Sequence, residues 1–212
     1  QVVDLSHSRD PAATLAAMQT GADVIVQAPL GSDTFVGIAD VLLRVATPSS
    51  LGAHSYEPVD TKLAAETKAG SLLQLLTYCE LLHGMQGTVP AQFHVVTPAK
   101  AERYRTADYA AYFRAIRDHL SGAATSTPPP ATYPEPVAHC DVCAYWQHCD
   151  KQRRSDDHPS LIAGSSRSQV RELLRQNLPT LASFASAGTL PAPPERGRRE
   201  AYDRLAHQAK LQ

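Results

Sequence analysis

The sequence predicts an α/β protein, with a mixed sheet flanked by helices, followed by a cysteine cluster and a small helical extension. Three observations carry this expectation. Strand-length runs rich in Val, Ile and Leu recur between turn residues; stretches with three- and four-residue apolar spacing interrupt them; and past a proline-rich stretch the composition changes and three cysteines fall close together.

The elements follow in order. Gln1–Leu5 (QVVDL) is strand-like, and residues 22–30 and 33–45 read as two strands joined by a tight hairpin at Gly31-Ser32. A third strand, His54 to Lys62, follows the loop from Pro48 to Gly52. From Ala64 to Leu82, the residues Leu72, Leu73, Leu76, Cys79 and Leu82 recur on one helical face, and Gly84 is the expected stop. Gln92–Thr97 and Arg103–Thr106 read as two more strands, and Asp108 is the expected cap of a helix from Tyr109 to Leu120 ahead of Gly122.

This divides the chain into four stretches. Residues 1–125 form the catalytic core, with a segment expected upstream because the chain opens at Gln1 without an initiator Met. Residues 126–158 hold a connector with Pro128, Pro129, Pro130, Pro134 and Pro136, stiff and extended, and then the cysteines. Residues 159–190 hold two short helices, 168–176 and 180–185, and residues 191–212 read as a linker and the start of a downstream helix.

The 212 residues, 43% hydrophobic, are enough for one domain with a substantial core plus an appendage. A formal charge of −1 supplies no global field for a nucleic-acid partner, which leaves a locally basic cleft as the electrostatic route to one. No apolar run approaches the ~20 residues of a membrane span and no signal-peptide pattern opens the chain, so a cytoplasmic protein without a membrane partner is expected.

The chemistry centres on Asp40, late in the second strand, and on Asp60-Thr61-Lys62 at the end of the third. Alternation along a strand puts Asp60 and Lys62 on one side, and pairing of the two strands brings Asp40 beside them. Two converging carboxylates repel unless a hard cation lies between them, and Mg²⁺ takes such carboxylate and water ligation. A lysine beside such a cation can orient a water for attack on a phosphodiester. A bare pattern of this kind also occurs at ordinary strand ends. Gln74 and Tyr78, four apart on the next helix and so on one face, add polar groups at the spacing the site needs.

Gly37-Ile-Ala-Asp40, Asp60-Thr-Lys62 and Gln74-Leu-Leu-Thr-Tyr78, in strand–strand–helix order, resemble the RecB-like branch of PD-(D/E)xK nucleases. The runs SYEPVDTKLA, QLLTY, YPEPVAHCDVCAYWQHCD and RRSDDHPSLIAGSSRSQ extend that resemblance over about residues 20–190. It implies a restriction-endonuclease-like core and a DNA nuclease, exo- or endonucleolytic, acting in repair, recombination or defence with Mg²⁺ or Mn²⁺. It implies that Asp40 and Asp60 bind the metal with the Thr61 carbonyl as a further ligand, that Lys62 assists the attacking water, and that Gln74 and Tyr78 contact the scissile strand or order the site. It also implies a fused or associated helicase or second nuclease. The family's upstream histidine has no match before residue 20, so the alternative is a catalytically silent nucleic-acid-binding module supporting a fused enzyme.

Cys140, Cys143 and Cys149 follow C-x2-C-x5-C, a spacing that reads as metal ligation before disulfide bonding in an intracellular protein. Three thiolates need a fourth ligand. A zinc knuckle using His139 or His148 is one solution, and Cys79 falls on the apolar face of its helix as a core residue. The family resemblance implies a [4Fe–4S] cluster whose fourth cysteine lies upstream of Gln1. Arg167, Arg171 and Arg175 recur every four residues near Lys151, Arg153 and Arg154, a stripe open to phosphate contact or to solvent.

Overall fold

A computed structural model describes residues 1–64 and 66–212, and these divide into two units, Gln1–Pro130 and Ala131–Gln212. The first unit is built on a six-stranded mixed sheet whose strands lie side by side in chain order, β1 to β6. These are β1 (Val2–Asp4), β2 (Val24–Gly31), β3 (Val36–Val45), β4 (Ser55–Thr61), β5 (Gln92–Val96) and β6 (Ala101–Arg105). Helix α1 (Pro11–Gln19) joins the parallel pair β1 and β2, α2 (Ala69–Gln86) joins the parallel pair β4 and β5, and antiparallel neighbours are joined by loops. Parallel neighbours need a crossover and antiparallel ones do not. Helix α3 (Thr106–Thr125) follows β6.

One apolar cluster holds this unit together. Met18 of α1, Ile25, Ala28 and Leu30 of β2, Ala39 and Leu42 of β3, Tyr56 of β4, Leu75, Cys79 and Leu82 of α2, Phe93 and Val95 of β5 and Phe113 of α3 all belong to it. Tyr56 donates from its hydroxyl to Ala22 O at 2.6 Å, which satisfies the polar tip of a fully buried ring. The Gln86 side chain accepts from Tyr56 N at 2.8 Å and donates to Tyr56 O at 3.2 Å, replacing the strand partner that β4 lacks before its pairing with β5 begins at Val59.

Several element bounds differ from the sequence expectation. Residues 11–19 form a helix that apolar spacing does not announce, because Leu15 and Met18 are its only large apolar residues among four alanines. Its signal is the Asp10-Pro11 pair, in which the Asp10 carboxylate caps Ala12 N at 2.9 Å and Pro11 takes the first helical position. The β2–β3 connection spans Ser32–Phe35, with Gly31 still paired to Val36, so it is not the two-residue turn expected at Gly31-Ser32. Helix α2 begins at Ala69 instead of Ala64, and Ala65 lies outside the described residues. It runs through Gly84 and stops at Gly87, whose φ of 70° and N–H bond to His83 O at 2.8 Å form the left-handed cap. Strand β6 starts two residues early, and α3 runs from Thr106 to Thr125 through Gly122. Asp108 sits inside its first turn, 3.8 Å from the Arg105 guanidinium, and does not cap it.

The second unit is helical. Residues 126–137 carry no helix or strand, and two short 3-10 turns, Ala138–Val142 and Pro159–Leu161, flank α4 (Trp146–Ser155). Helices α5 (Arg167–Arg175) and α6 (Leu181–Ala187) each open on a reciprocal capping box, Ser166 with Gln169 and Thr180 with Ser183. The segment expected to begin a downstream helix is a full helix, α7 (Arg199–Leu211). It packs back through Tyr202, Leu205, Ala206 and Ala209 onto Ile162, Leu173, Leu178, Phe184 and Leu190. Among the described residues, no helix is long and apolar enough to cross a membrane.

Candidate active site

The register Val41↔Val59 between antiparallel β3 and β4 makes Asp40 and Asp60 the next pair, where β4 ends and β3 continues beside β2 alone. This point lies inside the sheet, with β5 on the far side of β4. Asp40 accepts two hydrogen bonds at one carboxylate oxygen, from Thr61 N and from Thr61 Oγ1, both at 2.9 Å. Thr61 is thereby fixed by Asp40, and the chain turns out of β4 at Lys62, whose N–H goes to Val96 O at 2.9 Å.

Asp60 is 1% exposed, and neither of its carboxylate oxygens accepts a hydrogen bond. The Lys62 ammonium lies 2.7 Å from Oδ2 as an ion pair, off the direction a hydrogen bond needs. Burial raises the Asp60 carboxyl above its ordinary value, Lys62 draws it back, and the neighbouring Asp40 charge pushes it up again. Glu57, on the same strand and 7% exposed, is the contrast. It accepts from Gln92 N at 3.2 Å and lies 2.8 Å from His94 Nε2, so its charge is satisfied within the fold.

A relay of side chains runs from the strand to the helix. Lys62 Nζ donates to Gln74 Oε1 at 3.2 Å, Gln74 Nε2 donates to Tyr78 Oη at 2.9 Å, and Tyr78 Oη donates to Ile38 O at 2.8 Å. The four-residue spacing puts Gln74 and Tyr78 on one face of α2, so they hand the lysine back to β3 two residues before Asp40. Gly37 makes room for this: a Cβ there would lie 2.7 Å from Tyr78 Cε1. The structure thus brings Asp40, Asp60, Thr61, Lys62, Gln74 and Tyr78 into one neighbourhood.

One feature of this neighbourhood escaped the sequence reading. The pairs Ile25↔Leu42 and Ala28↔Ala39 are both buried, although three residues separate them along each strand. Ala28, Pro29 and Leu30 are buried in succession, so both faces of β2 are covered there; the strand is interrupted at Gln27, φ 52°, which stands opposite Asp40 in the register. A non-glycine residue in the left-handed region inside a strand stores roughly 1–3 kcal/mol, and such residues cluster at working sites. The only signal in the sequence is a lone polar residue in the run VIVQAPL.

The cysteines divide between the units. Cys79 is buried in the first core with Sγ 3.9 Å from Thr106 Oγ1, and burial pushes its thiol up to about 12. Cys140, Cys143 and Cys149 are half-buried free thiols in the second unit. Cys140 Sγ accepts from Val137 N and Cys143 Sγ from Tyr145 N, each at 3.4 Å. Among the described residues, no group of three or more His, Cys, Asp or Glu side chains is placed to hold a metal ion. The basic stripe is largely spoken for. Arg171 lies 3.7 Å from Glu135, Arg175 pairs with Glu172 and Glu195, Arg154 pairs with Asp150, and the buried Arg153 donates to Pro134 O at 2.9 Å. Compared with protein-family models and with curated proteins, the sequence gives no match.

Proposed function

We propose that the chain is a metal-dependent nuclease of the RecB-like class that hydrolyses phosphodiester bonds in DNA. The observation that carries this reading is Asp60, a buried carboxylate without a hydrogen bond, next to a second carboxylate and a lysine. Burying such a group comes only at a price in stability; the Lys62 ammonium offsets part of it, and a divalent cation shared with Asp40 would offset more. The donor set fits a hard divalent ion, with Asp40, Asp60 and the Thr61 carbonyl as its ligands.

Mg²⁺ or Mn²⁺, when bound, supplies charge neutralisation at the phosphate and lowers the pKa of water. The protein's own residues do the rest. Asp40 holds Thr61 in place with one oxygen, and its other makes no hydrogen bond among the described residues. Lys62, positioned by Gln74 and Asp60, orients the attacking water and steadies charge on the phosphate oxygens. Tyr78 and Gln74 keep that ammonium from swinging into solvent. Water adds to phosphorus, one ester P–O bond breaks, and the departing oxygen takes up a proton.

The test is digestion of end-labelled single- and double-stranded DNA with Mn²⁺ by the wild type and by Asp60→Ala. Loss of a metal-binding carboxylate should abolish cleavage while DNA binding persists. Cleavage by the variant at the wild-type rate overturns the assignment, and binding without cleavage by the wild type assigns it instead as a silent module supporting a helicase or second nuclease. The same reading gives Cys140, Cys143 and Cys149 to a [4Fe–4S] cluster completed by a further ligand, and iron and sulfide measured after anaerobic purification test this against zinc.

A further inference from the structure

The second unit holds a cleft of about 600 Å³ between the segment Glu135–His139 on one wall and His158, Ser160 and residues 165–170 on the other. Its size falls in the range of sites that take a small organic ligand. His158 is its most constrained wall, 6% exposed and stacked on Tyr133 with ring centroids 4.4 Å apart. Its Nδ1 accepts from Ser160 N at 3.3 Å and faces Ser160 Oγ at 2.9 Å, so the neutral ring carries its proton on Nε2. That N–H has no hydrogen-bond partner among the described residues and, in an otherwise buried side chain, is itself open to solvent. Arg167 commits only Nε, to Pro136 O at 3.3 Å, and its two terminal nitrogens make no hydrogen bond among the described residues.

Of the lining hydroxyls, Ser165 makes no side-chain hydrogen bond among the described residues, whereas Ser160 is engaged by His158 Nδ1 and Ser166 by Gln169; the first turn of α5 contains no acidic residue. Glu135 is the one carboxylate of the cleft, and Arg171, 3.7 Å away, offsets part of its charge. A hydroxyl, an imidazole N–H and an open guanidinium fork, with a partly offset acid, suit a phosphate ester better than a neutral apolar ligand.

We infer that this cleft is a phosphate-ester site of nucleotide size, in which Arg167 and His158 Nε2–H hold the phosphate. The phosphate can belong to a free nucleotide or to the backbone of a nucleic acid. The cleft belongs to the second unit and Asp40 and Asp60 to the first, and the inference does not rest on the nuclease reading.

The test uses the full chain in EDTA, so that no divalent ion can recruit phosphate to the two aspartates. Imidazole ¹⁵N resonances are followed while pyrophosphate, a 5′-phosphorylated dinucleotide, its unphosphorylated counterpart and a 12-mer DNA are each titrated in. The expected result is a saturable shift at His158 with the 5′-phosphorylated dinucleotide; a shift confined to it and pyrophosphate marks recognition of a terminal phosphate, whereas an equal shift with the 12-mer and with the unphosphorylated dinucleotide, whose one phosphate is internal, marks recognition of the backbone. Arg167→Ala, an exposed position whose loss leaves the core intact, should weaken binding roughly tenfold, the equivalent of one charge-assisted pair. A His158 resonance unmoved by every probe, or Arg167→Ala binding as tightly as the wild type, overturns the inference. A His158 shift in EDTA together with no cleavage in the separate Mn²⁺ digestion retains it and rejects the nuclease reading alone.

Discussion

Asp60→Asn should make the first unit more stable. The substitution keeps the side-chain volume of a residue 1% exposed and removes a charge whose oxygens accept no hydrogen bond. A buried polar group left unsatisfied costs roughly 1–3 kcal/mol, and more when charged. Lys62 at 2.7 Å returns part of that, being itself partly open to solvent. The net expectation is a gain of about 1–2 kcal/mol, which for a unit of this size corresponds to a melting temperature higher by about 3–8 °C. Circular dichroism melts in EDTA at neutral pH measure it. Mg²⁺ should then stabilise the wild type by mass action and leave the variant unchanged. The sign of the pH dependence follows from the raised carboxyl value: between the ordinary 3.8 and that raised value the folded protein holds the extra proton, so stability falls as pH rises through this window. The variant should lack that decline. A lower melting temperature for Asp60→Asn, or equal Mg²⁺ stabilisation of both proteins, refutes the reasoning.

Gly37→Ala should cost about 1–3 kcal/mol, because its Cβ would meet Tyr78 Cε1 at 2.7 Å and displace the hydroxyl from Ile38 O; a double-mutant cycle with Tyr78→Phe should show strong coupling, and additive effects would contradict the contact. In metal-free native protein, a thiol reagent should modify Cys140, Cys143 and Cys149 quickly and Cys79 only on unfolding, since Cys79 is buried with its thiol pushed up to about 12; fast reaction of all four would contradict the burial. Burial lowers His158 below its ordinary 6.5, so the unfolded ring binds the proton first, and the second unit should lose stability as pH falls through the ordinary 6.5 toward the lowered value. His158→Asn should flatten that slope in urea unfolding followed by Trp146 fluorescence, and an unchanged slope would assign it to other groups.

How much of this was legible in the sequence depends on the range of each signal. Asp60 and Lys62 share a side because strand alternation is local, and Gln74 and Tyr78 share a helix face because four-residue spacing is local. The pairing of Asp40 with Asp60 needs one long-range step, the β3–β4 register, which buried positions such as Leu42 restrict. The left-handed Gln27 was not legible, because a single residue at φ 52° inside a strand leaves no periodic signal. Gly84 and Gly87 were equally good helix stops by composition, and the choice was made by Gln86, whose amide is buried against Tyr56. Helix α7 hid behind a proline-rich approach, and its purpose is visible only from Phe184 and Leu173, which it covers.

The strand order of the first unit has a consequence for synthesis. Every strand lies next to its neighbour in the chain, so the sheet can be assembled in the order in which it leaves the ribosome, without waiting for a distant segment to return. The side chains of the candidate site all come from residues 37–78, carried by β3, β4 and α2. Their arrangement can therefore be complete while the cysteine segment is still being translated. A nascent chain arrested after residue 130 should already protect the β3–β4 amides from exchange, with the second unit not yet made.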